Sequence, residues 1–177
     1  MKKSDFSKLL ISEALLILMK NKEFSKINVT DITEKAGVSR LTFYRNFETK
    51  QDVLRWNISR GIAEFMSNID AKNIHSLREV IVCCFSFWYE RKDEIQCIVE
   101  HNLSYILQEP FEYCMKCIFE KIKINANYTA TQKSFILGGL FANMLVYISS
   151  STPISGEMIA DEILYLFRED FDISTKV

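Results

Sequence analysis

The segment from Asn28 to Lys50 concentrates side chains that suit the edges of nucleic-acid bases and phosphate oxygens. Arginine donates two hydrogen bonds to guanine, threonine bonds bases or contacts the thymine methyl group, and leucine makes only apolar contacts. Hydroxyl groups, lysine and the free amides at helix N-termini bind phosphate. The candidate base contacts are Arg40, Leu41, Thr42 and Arg45, and the candidate phosphate contacts are Thr30, Ser39, Tyr44 and Lys50.

Two short capped helices joined by a glycine must position these side chains. Asn28 caps the first helix, an aspartate three residues later completes a capping box, and Gly37 ends the helix by turning at positive φ. Ser39 caps the second helix, in which Phe43 and Phe47 lie four residues apart and therefore share a buried face. The other positions of the second helix face outward. This pattern predicts a helix-turn-helix, whose second helix enters the major groove of DNA.

An alternative interpretation is that Arg40, Arg45 and Lys50 form only a solvated charged face, as an isolated group of basic residues usually does. The spacing favours the DNA-binding interpretation, because the caps, the turn glycine and the phenylalanines are all in register.

These residues resemble the tetracycline-repressor (TetR) family of bacterial transcriptional regulators over residues 6 to 55. The resemblance rests on Ala36-Gly37-Val38-Ser39, Phe43-Tyr44, Phe47 and Lys50. It implies phosphate contact by Tyr44 and Lys50, and base contact from the residues around Leu41. Two positions depart from the family pattern, since Leu41 stands where members often have glycine and Asn46 stands where histidine is common.

The charge of the chain is unevenly divided along its length. Residues 1–55 hold 11 Lys and Arg against 7 Asp and Glu, net +4, whereas residues 56–177 hold 11 against 16, net −5. A basic module attracts phosphates, and an acidic remainder discourages non-specific contact with DNA. We therefore predict a helix-turn-helix DNA-binding domain over residues 1–55 and a helical effector-binding and dimerisation domain over residues 56–177.

The composition predicts an all-α fold. Five glycines and two prolines interrupt 177 residues, and the apolar residues follow a helical period, which indicates about nine helices. One proline, Pro110, should kink or break a helix predicted from Leu103 to Lys123. No segment suits a signal peptide or a membrane span, so we predict a cytoplasmic protein without a membrane partner.

Large side chains in the middle of the second domain predict a pocket for an unknown small-molecule effector, which the family resembled usually binds in this region. The predicted pocket residues are Phe85, Trp88, Tyr89, His101, Tyr105, Phe111 and Tyr113. The alternative is that these residues are core. In that case the regulator responds to a protein partner or acts without a ligand.

The segment from Phe135 to Ile148 is apolar nearly all round and contains small residues that permit close approach of another helix. With the last helix it suits a four-helix interface between two copies, as in the family resembled. The predicted interface residues are Phe135, Gly138, Gly139, Ala142, Leu145, Val146, Ile159, Ile163 and Leu166. The alternative is the core helix of a monomer.

Catalysis and metal binding have little support in the sequence. The chain has two histidines, no glycine-rich phosphate loop and no paired nucleophile and base, so we predict neither an enzyme nor a cofactor. Cys97 with His101, and Cys114 with Cys117, are weak signals for metal binding or oxidant sensing, because a structural zinc site requires four ligands and a buried free cysteine commonly serves as a small apolar side chain. The sequence thus predicts a homodimeric transcriptional repressor that leaves a palindromic operator when an effector binds.

Overall fold

A computed structural model describes residues 3–71, 76–121, 129–150 and 154–165, and these residues form nine α-helices and one short 3-10 helix. The helices are α1 (Lys3–Met19), α2 (Val29–Ala36), α3 (Arg40–Asn46), α4 (Lys50–Ala71), α5 (Leu77–Glu90), α6 (Lys92–Glu100), α7 (Tyr105–Lys121), α8 (Ala130–Ser149) and α9 (Gly156–Tyr165). The 3-10 helix, Phe24–Lys26, lies between α1 and α2. The described ranges contain no strand, and the predicted all-α class is confirmed.

Helices α1, α2 and α3, which we call the head, pack around a small apolar core of their own. Ile11 and Leu15 of α1, Ile32 of α2 and Phe43 of α3 are each 0% exposed. Helix α1 contacts both α2 and α3. The four-residue spacing of apolar positions on these short helices therefore produces a shared buried face.

Helix α4 connects the head to helices α5 to α9, which we call the body. Val53 and Leu54 in its first turns are buried, as are Ile62 and Phe65 further along. The helix contacts α1 of the head and α7 of the body. The domain boundary predicted after Arg55 falls inside α4, so one continuous helix serves both units.

Several aromatic rings pack together in the interior of the body, among buried aliphatic side chains. The ring centroids of Trp88 and Phe111 lie 6.1 Å apart, and those of Phe111 and Phe141 lie 5.3 Å apart.

Pro110 lies inside α7 without breaking it. The predicted break is therefore wrong, whereas the kink stays a prediction. Near the start of a helix a proline removes one interior hydrogen bond while the following turns stay bonded.

The junction of α5 and α6 contacts α4 through a half-buried ion pair. Arg91 Nη2 donates to Glu94 Oε2 at 2.7 Å, and Asn57 Nδ2 of α4 donates to Glu94 Oε1. A Cβ at Gly61 of α4 would lie 2.6 Å from Arg91 Cζ, so the missing side chain makes room for the guanidinium. Burial raises the pKa of Glu94 against the opposing effect of Arg91. The body is thereby fixed to the helix that carries the head.

We expect Arg91→Ala to lower the free energy of unfolding by about 1–3 kcal/mol at neutral pH, because Glu94 would remain as a buried carboxylate without its partner. The folded-state pKa of Glu94 already lies above its ordinary value. Loss of Arg91 raises this pKa further, so the cost should grow as pH rises through it and shrink at mildly acidic pH. Urea denaturation of the wild type and the variant at several pH values measures this difference in the free energy of unfolding.

The matched control is Glu94→Gln in the Arg91→Ala background, which removes the unpaired charge. This double variant should recover part of the lost stability at neutral pH and lose the pH dependence. A loss of stability that is equal at all pH values would contradict the assigned role of Glu94.

Candidate nucleic-acid interface

The capping box predicted at the start of α2 is present. Asn28 Oδ1 accepts from the Asp31 N–H at 2.9 Å, and Asp31 Oδ2 accepts from the Asn28 N–H at 2.9 Å. Lys22 Nζ lies 2.7 Å from Asp31 Oδ2. The pKa of Asp31 is lowered first by the backbone hydrogen bond from Asn28 and then by the hydrogen bond from Lys22. These bonds satisfy amides at the N-terminus of α2 that would otherwise have no partner.

The turn between α2 and α3 depends on Gly37. Its φ of 65° lies in the left-handed region, which other residues enter only with strain. The Val38 N–H returns to the Thr33 carbonyl at 3.0 Å and closes the turn. Ser39 then caps α3, since its Oγ accepts from the Thr42 N–H at 3.1 Å and lies 2.9 Å from Thr42 Oγ1. The turn and the cap together set the angle between the two helices.

Helix α3 has one buried face and one exposed face. Phe43 and Phe47 are 0% and 6% exposed, with ring centroids 6.1 Å apart. The outward face presents Arg40, Leu41, Tyr44 and Arg45. Leu41 is 78% exposed and Tyr44 is 50% exposed. Neither arginine has a hydrogen bond or an ion pair in the described part of the chain, so two cationic groups stand ready for an external partner.

Lys50 occupies a different environment from the other candidate phosphate contacts. Its Nζ donates to the carbonyl of Phe24 at 2.7 Å and to the carbonyl of Ile27, and it lies 4.4 Å from the centroid of the Phe24 ring. Burial lowers the pKa of Lys50. This arrangement could not be predicted from the sequence, because backbone carbonyls 26 and 23 residues earlier carry no residue-type signal.

Asn46, the second departure from the family pattern, acts inside α3. Its Nδ2 donates to the Thr42 carbonyl at 2.7 Å, four residues back along the helix. The asparagine therefore supports the end of the helix that carries the candidate base contacts.

The seven residues predicted to line an effector pocket lie in different environments within the described part of the chain. The residues in the core of the body are Phe85, Trp88 and Phe111, each 2% exposed. The residues exposed at the surface are Tyr89, Tyr105 and Tyr113. His101 lies where α6 meets the head, within hydrogen-bond distance of the Met19 carbonyl and the Phe24 N–H. A groove of about 470 Å³ between α4 and α7 is lined by Tyr113 but by none of the other six.

Helix α8 exposes an apolar face that the described residues leave uncovered. Phe135 is 72% exposed and Val146 is 70% exposed, while a Cβ at Gly138 or Gly139 would meet nothing within 4 Å. The remaining predicted interface residues differ in burial: Ala142 is exposed, Leu145 and Ile163 are half-buried, and Ile159 is buried at 7% exposure. Leu166 lies outside the described residues.

The described residues contain no group of three His, Cys, Asp or Glu side chains that could hold a metal ion. Burial raises the pKa of Cys97, and it raises the pKa of Cys114 to about 12, which favours the protonated thiol over the thiolate that binds metals. Within the same described ranges, no helix has the length and apolarity that a membrane crossing requires.

The fold and the exposed α3 face define a helix-turn-helix protein, and comparisons with known proteins give its class. Residues 11–55 match the model of the bacterial regulatory proteins of the tetR family. The chain is 26% identical over 140 residues to the HTH-type dhaKLM operon transcriptional activator DhaS of Lactococcus lactis subsp. lactis, covering 77% of this chain and 74% of that protein. It is 30% identical over 66 residues to the uncharacterized HTH-type transcriptional regulator YxbF of Bacillus subtilis, covering 36% of this chain and 17% of that protein.

Solved structures share the fold. Lin0861 from Listeria innocua superimposes with a TM-score of 0.80 at 16% identity, over 94% of this chain and 91% of that one. A dihydroxyacetone kinase operon activator DhaS superimposes with a TM-score of 0.61 at 20% identity, over 90% and 93%. Over residues 11–55 the chain therefore matches the tetR family of bacterial regulatory proteins, and the two relatives named above are HTH-type transcriptional regulators. The predicted family is confirmed, and so is the prediction of a non-enzyme, since the family and these relatives regulate transcription.

Proposed function

We propose that the chain acts as a homodimer that binds a palindromic operator through α3 and changes its occupancy when a small molecule binds the body. The observation that carries this proposal is the outward face of α3, where two arginines that have no partner among the described residues flank exposed Leu41 and Tyr44 on a capped helix. A rigid helix with free guanidinium groups suits the major groove, where arginine donates two bonds to guanine.

The contacts divide between base edges and phosphates. We assign base contacts to Arg40, Leu41, Thr42 and Arg45, and phosphate contacts to Thr30, Ser39 and Tyr44. The Thr42 hydroxyl already bonds Ser39, which leaves its methyl group for a thymine. Lys50 is assigned a structural role at the start of α4, because its ammonium donates to the carbonyls of Phe24 and Ile27.

Dimerisation is supported by the uncovered face of α8. Phe135 and Val146 would be costly to leave in water, and the two glycines permit the backbone of a second α8 to approach closely. Burial of Ile159 and half-burial of Ile163 in a single chain show that one side of α9 is already used by the body. The proposed interface therefore centres on the exposed positions of α8, with α9 at its edge.

The groove between α4 and α7 is the proposed effector site, because a ligand there would touch Ile62 and Met66 of the helix that carries the head. The Lactococcus relative is named an activator, so operator binding by this chain can raise or lower transcription, and a reporter gene distinguishes the two.

Dihydroxyacetone is the first effector probe, because a structural neighbour is named for a dihydroxyacetone kinase operon. We expect it to change the dissociation constant of the protein for its operator. No change would favour the second candidate function, a DNA-binding regulator that responds to a protein partner or acts without a ligand. The aromatic packing of Phe85, Trp88 and Phe111 in the body core favours that candidate.

The α3 assignment predicts different results for Arg40→Ala and Tyr44→Phe. Arg40→Ala should cost about 1–3 kcal/mol on the preferred duplex and relax the preference for one base pair. Tyr44→Phe should weaken binding to all duplexes by about 1 kcal/mol without changing the preference. Fluorescence anisotropy on a duplex enriched from a random-sequence library by the wild-type protein, and on its single-base variants, measures both.

The control for the loss of a positive charge is Lys116→Ala, since Lys116 is exposed on α7 of the body. This variant should bind DNA as the wild type does. The assignment is wrong if Arg40→Ala binds every duplex as tightly as the wild type, and a wild-type protein that enriches no duplex overturns the proposed function itself.

A further inference from the structure

His101 joins the body to the head through both of its ring nitrogens. Its Nδ1 accepts from the Phe24 N–H at 3.3 Å, and its Nε2 lies 2.8 Å from the Met19 carbonyl. The amide can only donate and the carbonyl can only accept, so the partners require a neutral imidazole with its hydrogen on Nε2. These bonds connect residues that are 77 and 82 positions apart in the sequence.

The backbone beside His101 adopts a strained conformation that ends α6 at this position. Asn102 has a φ of 59°, and it is the one residue other than glycine with positive φ in the described ranges. Its N–H bonds the Val99 carbonyl at 2.9 Å, and the Leu103 N–H bonds the Ile98 carbonyl at 3.1 Å. Asparagine tolerates the left-handed region better than most residues. The sharp helix end places the imidazole against the head.

Phe24 also receives a contact from Lys50, at the start of α4. Its carbonyl accepts from Lys50 Nζ at 2.7 Å, and the same ammonium lies over its ring. Lys50 is the first residue of α4, four residues after the last residue of α3. Phe24, which is 8% exposed, is therefore held by the body on its amide side and by the α3–α4 junction on its carbonyl side.

We propose that His101 is a positioning residue for DNA binding, which holds the head at a fixed angle to the body through Phe24 and Lys50. This inference rests on the proposed function, since the angle matters only if two heads must meet two half-sites at a set spacing. His101 touches no DNA in this proposal. His101 acts through the 3-10 helix. In this proposal Lys50 has an internal role in place of a phosphate contact.

The first test is independent of DNA and uses amide hydrogen exchange of the full chain by NMR. His101→Phe keeps an aromatic ring but removes both hydrogen bonds, so exchange of the Phe24 amide should become about tenfold faster. His101→Gln keeps a donor and an acceptor on one side chain and should restore slow exchange. Lys50→Met keeps an unbranched side chain but removes the donor to the Phe24 carbonyl, and it provides a second variant if His101→Phe does not fold.

The second test measures half-site spacing on the duplex enriched by the wild-type protein. The spacing between half-sites is lengthened by one and by two base pairs, and dissociation constants are compared at a temperature where all variants are folded. His101→Phe should bind the original duplex about tenfold more weakly and discriminate less among the spacings, because its heads are less constrained. His101→Gln should keep the wild-type preference. A loss of stability alone would not change the preference among spacings.

The two tests separate the inference from the proposed function. If the wild-type protein binds no duplex, the proposed function fails, and the Phe24 amide still reports whether His101 holds the head. If Phe24 exchange and the spacing preference are both unchanged in His101→Phe, the inference is overturned. The same holds if His101→Gln behaves as His101→Phe does, because the role would then not depend on the hydrogen bonds.

Discussion

Gly139→Arg is expected to convert the protein to a monomer and to weaken operator binding by about a hundredfold or more. Position 139 lies on the uncovered face of α8, beside Phe135, which is 72% exposed. Two copies of an arginine would bring like charges into an apolar contact, where the cost of desolvation is large. Two linked heads bind two half-sites with a combined affinity that exceeds that of one head by about 10²–10⁴.

The same substitution should leave the single chain folded. A Cβ at Gly139 would meet nothing within 4 Å, and replacing a glycine in the middle of a helix by arginine stabilises the helix by up to about 1 kcal/mol. Sedimentation equilibrium and anisotropy on the operator duplex therefore measure assembly and binding without interference from misfolding. This separation makes Gly139 a better test position than the buried Ile159.

Gln108→Arg is the matched control, because it adds the same charge at an exposed position on α7. It should leave both the dimer and the DNA affinity unchanged. A Gly139→Arg protein that remains dimeric would show that α8 does not form the interface, and a monomeric wild-type protein would remove the dimer from the proposal.

Phe43→Ala is expected to unfold the head while the body stays folded, with a loss of about 3–5 kcal/mol in the stability of the head. Phe43 is 0% exposed, and its ring lies 6.1 Å from that of Phe47 and 5.4 Å from that of Tyr44. The head is small, so its core has few other large side chains to replace the lost contacts. DNA binding should disappear because α3 is no longer held.

The two tryptophans of the chain report on the two units separately. Trp56 contacts Phe47 at a centroid distance of 6.0 Å, whereas Trp88 is 2% exposed in the body. In Phe43→Ala the indole NMR signal of Trp56 should move to its unfolded position while that of Trp88 stays in place. Tyr44→Ala is the control from the same helix, since a side chain that is 50% exposed should contribute little to stability.

Loss of both indole signals together would contradict this prediction. It would show that the head has no independent stability and unfolds only with the body. The continuous α4 and the contacts of Arg91 and His101 would then dominate over the separate cores.

The helix-turn-helix could be predicted from the sequence because its determinants are local. The side chains of Asn28 and Ser39 accept hydrogen bonds from amides three residues later, and the turn at Gly37 is closed by a bond between residues five positions apart. Phe43 and Phe47 share a face through helical spacing alone. The same local determinants act at the starts of α5 and α8, where Ser76 and Thr129 form capping boxes with residues three positions later.

The tertiary structure decided the partners of side chains that reach across the fold. Lys50 and His101 bind backbone groups of the head, and a backbone amide or carbonyl is the same in every residue type, so no pattern marks it as a partner. The aromatic residues of the body illustrate the same limit, because Trp88 and Tyr89 are neighbours in the sequence yet one is core and the other surface. Residue type and spacing determine local hydrogen bonds and helical faces, whereas the packing of distant helices determines which of those faces and groups meet.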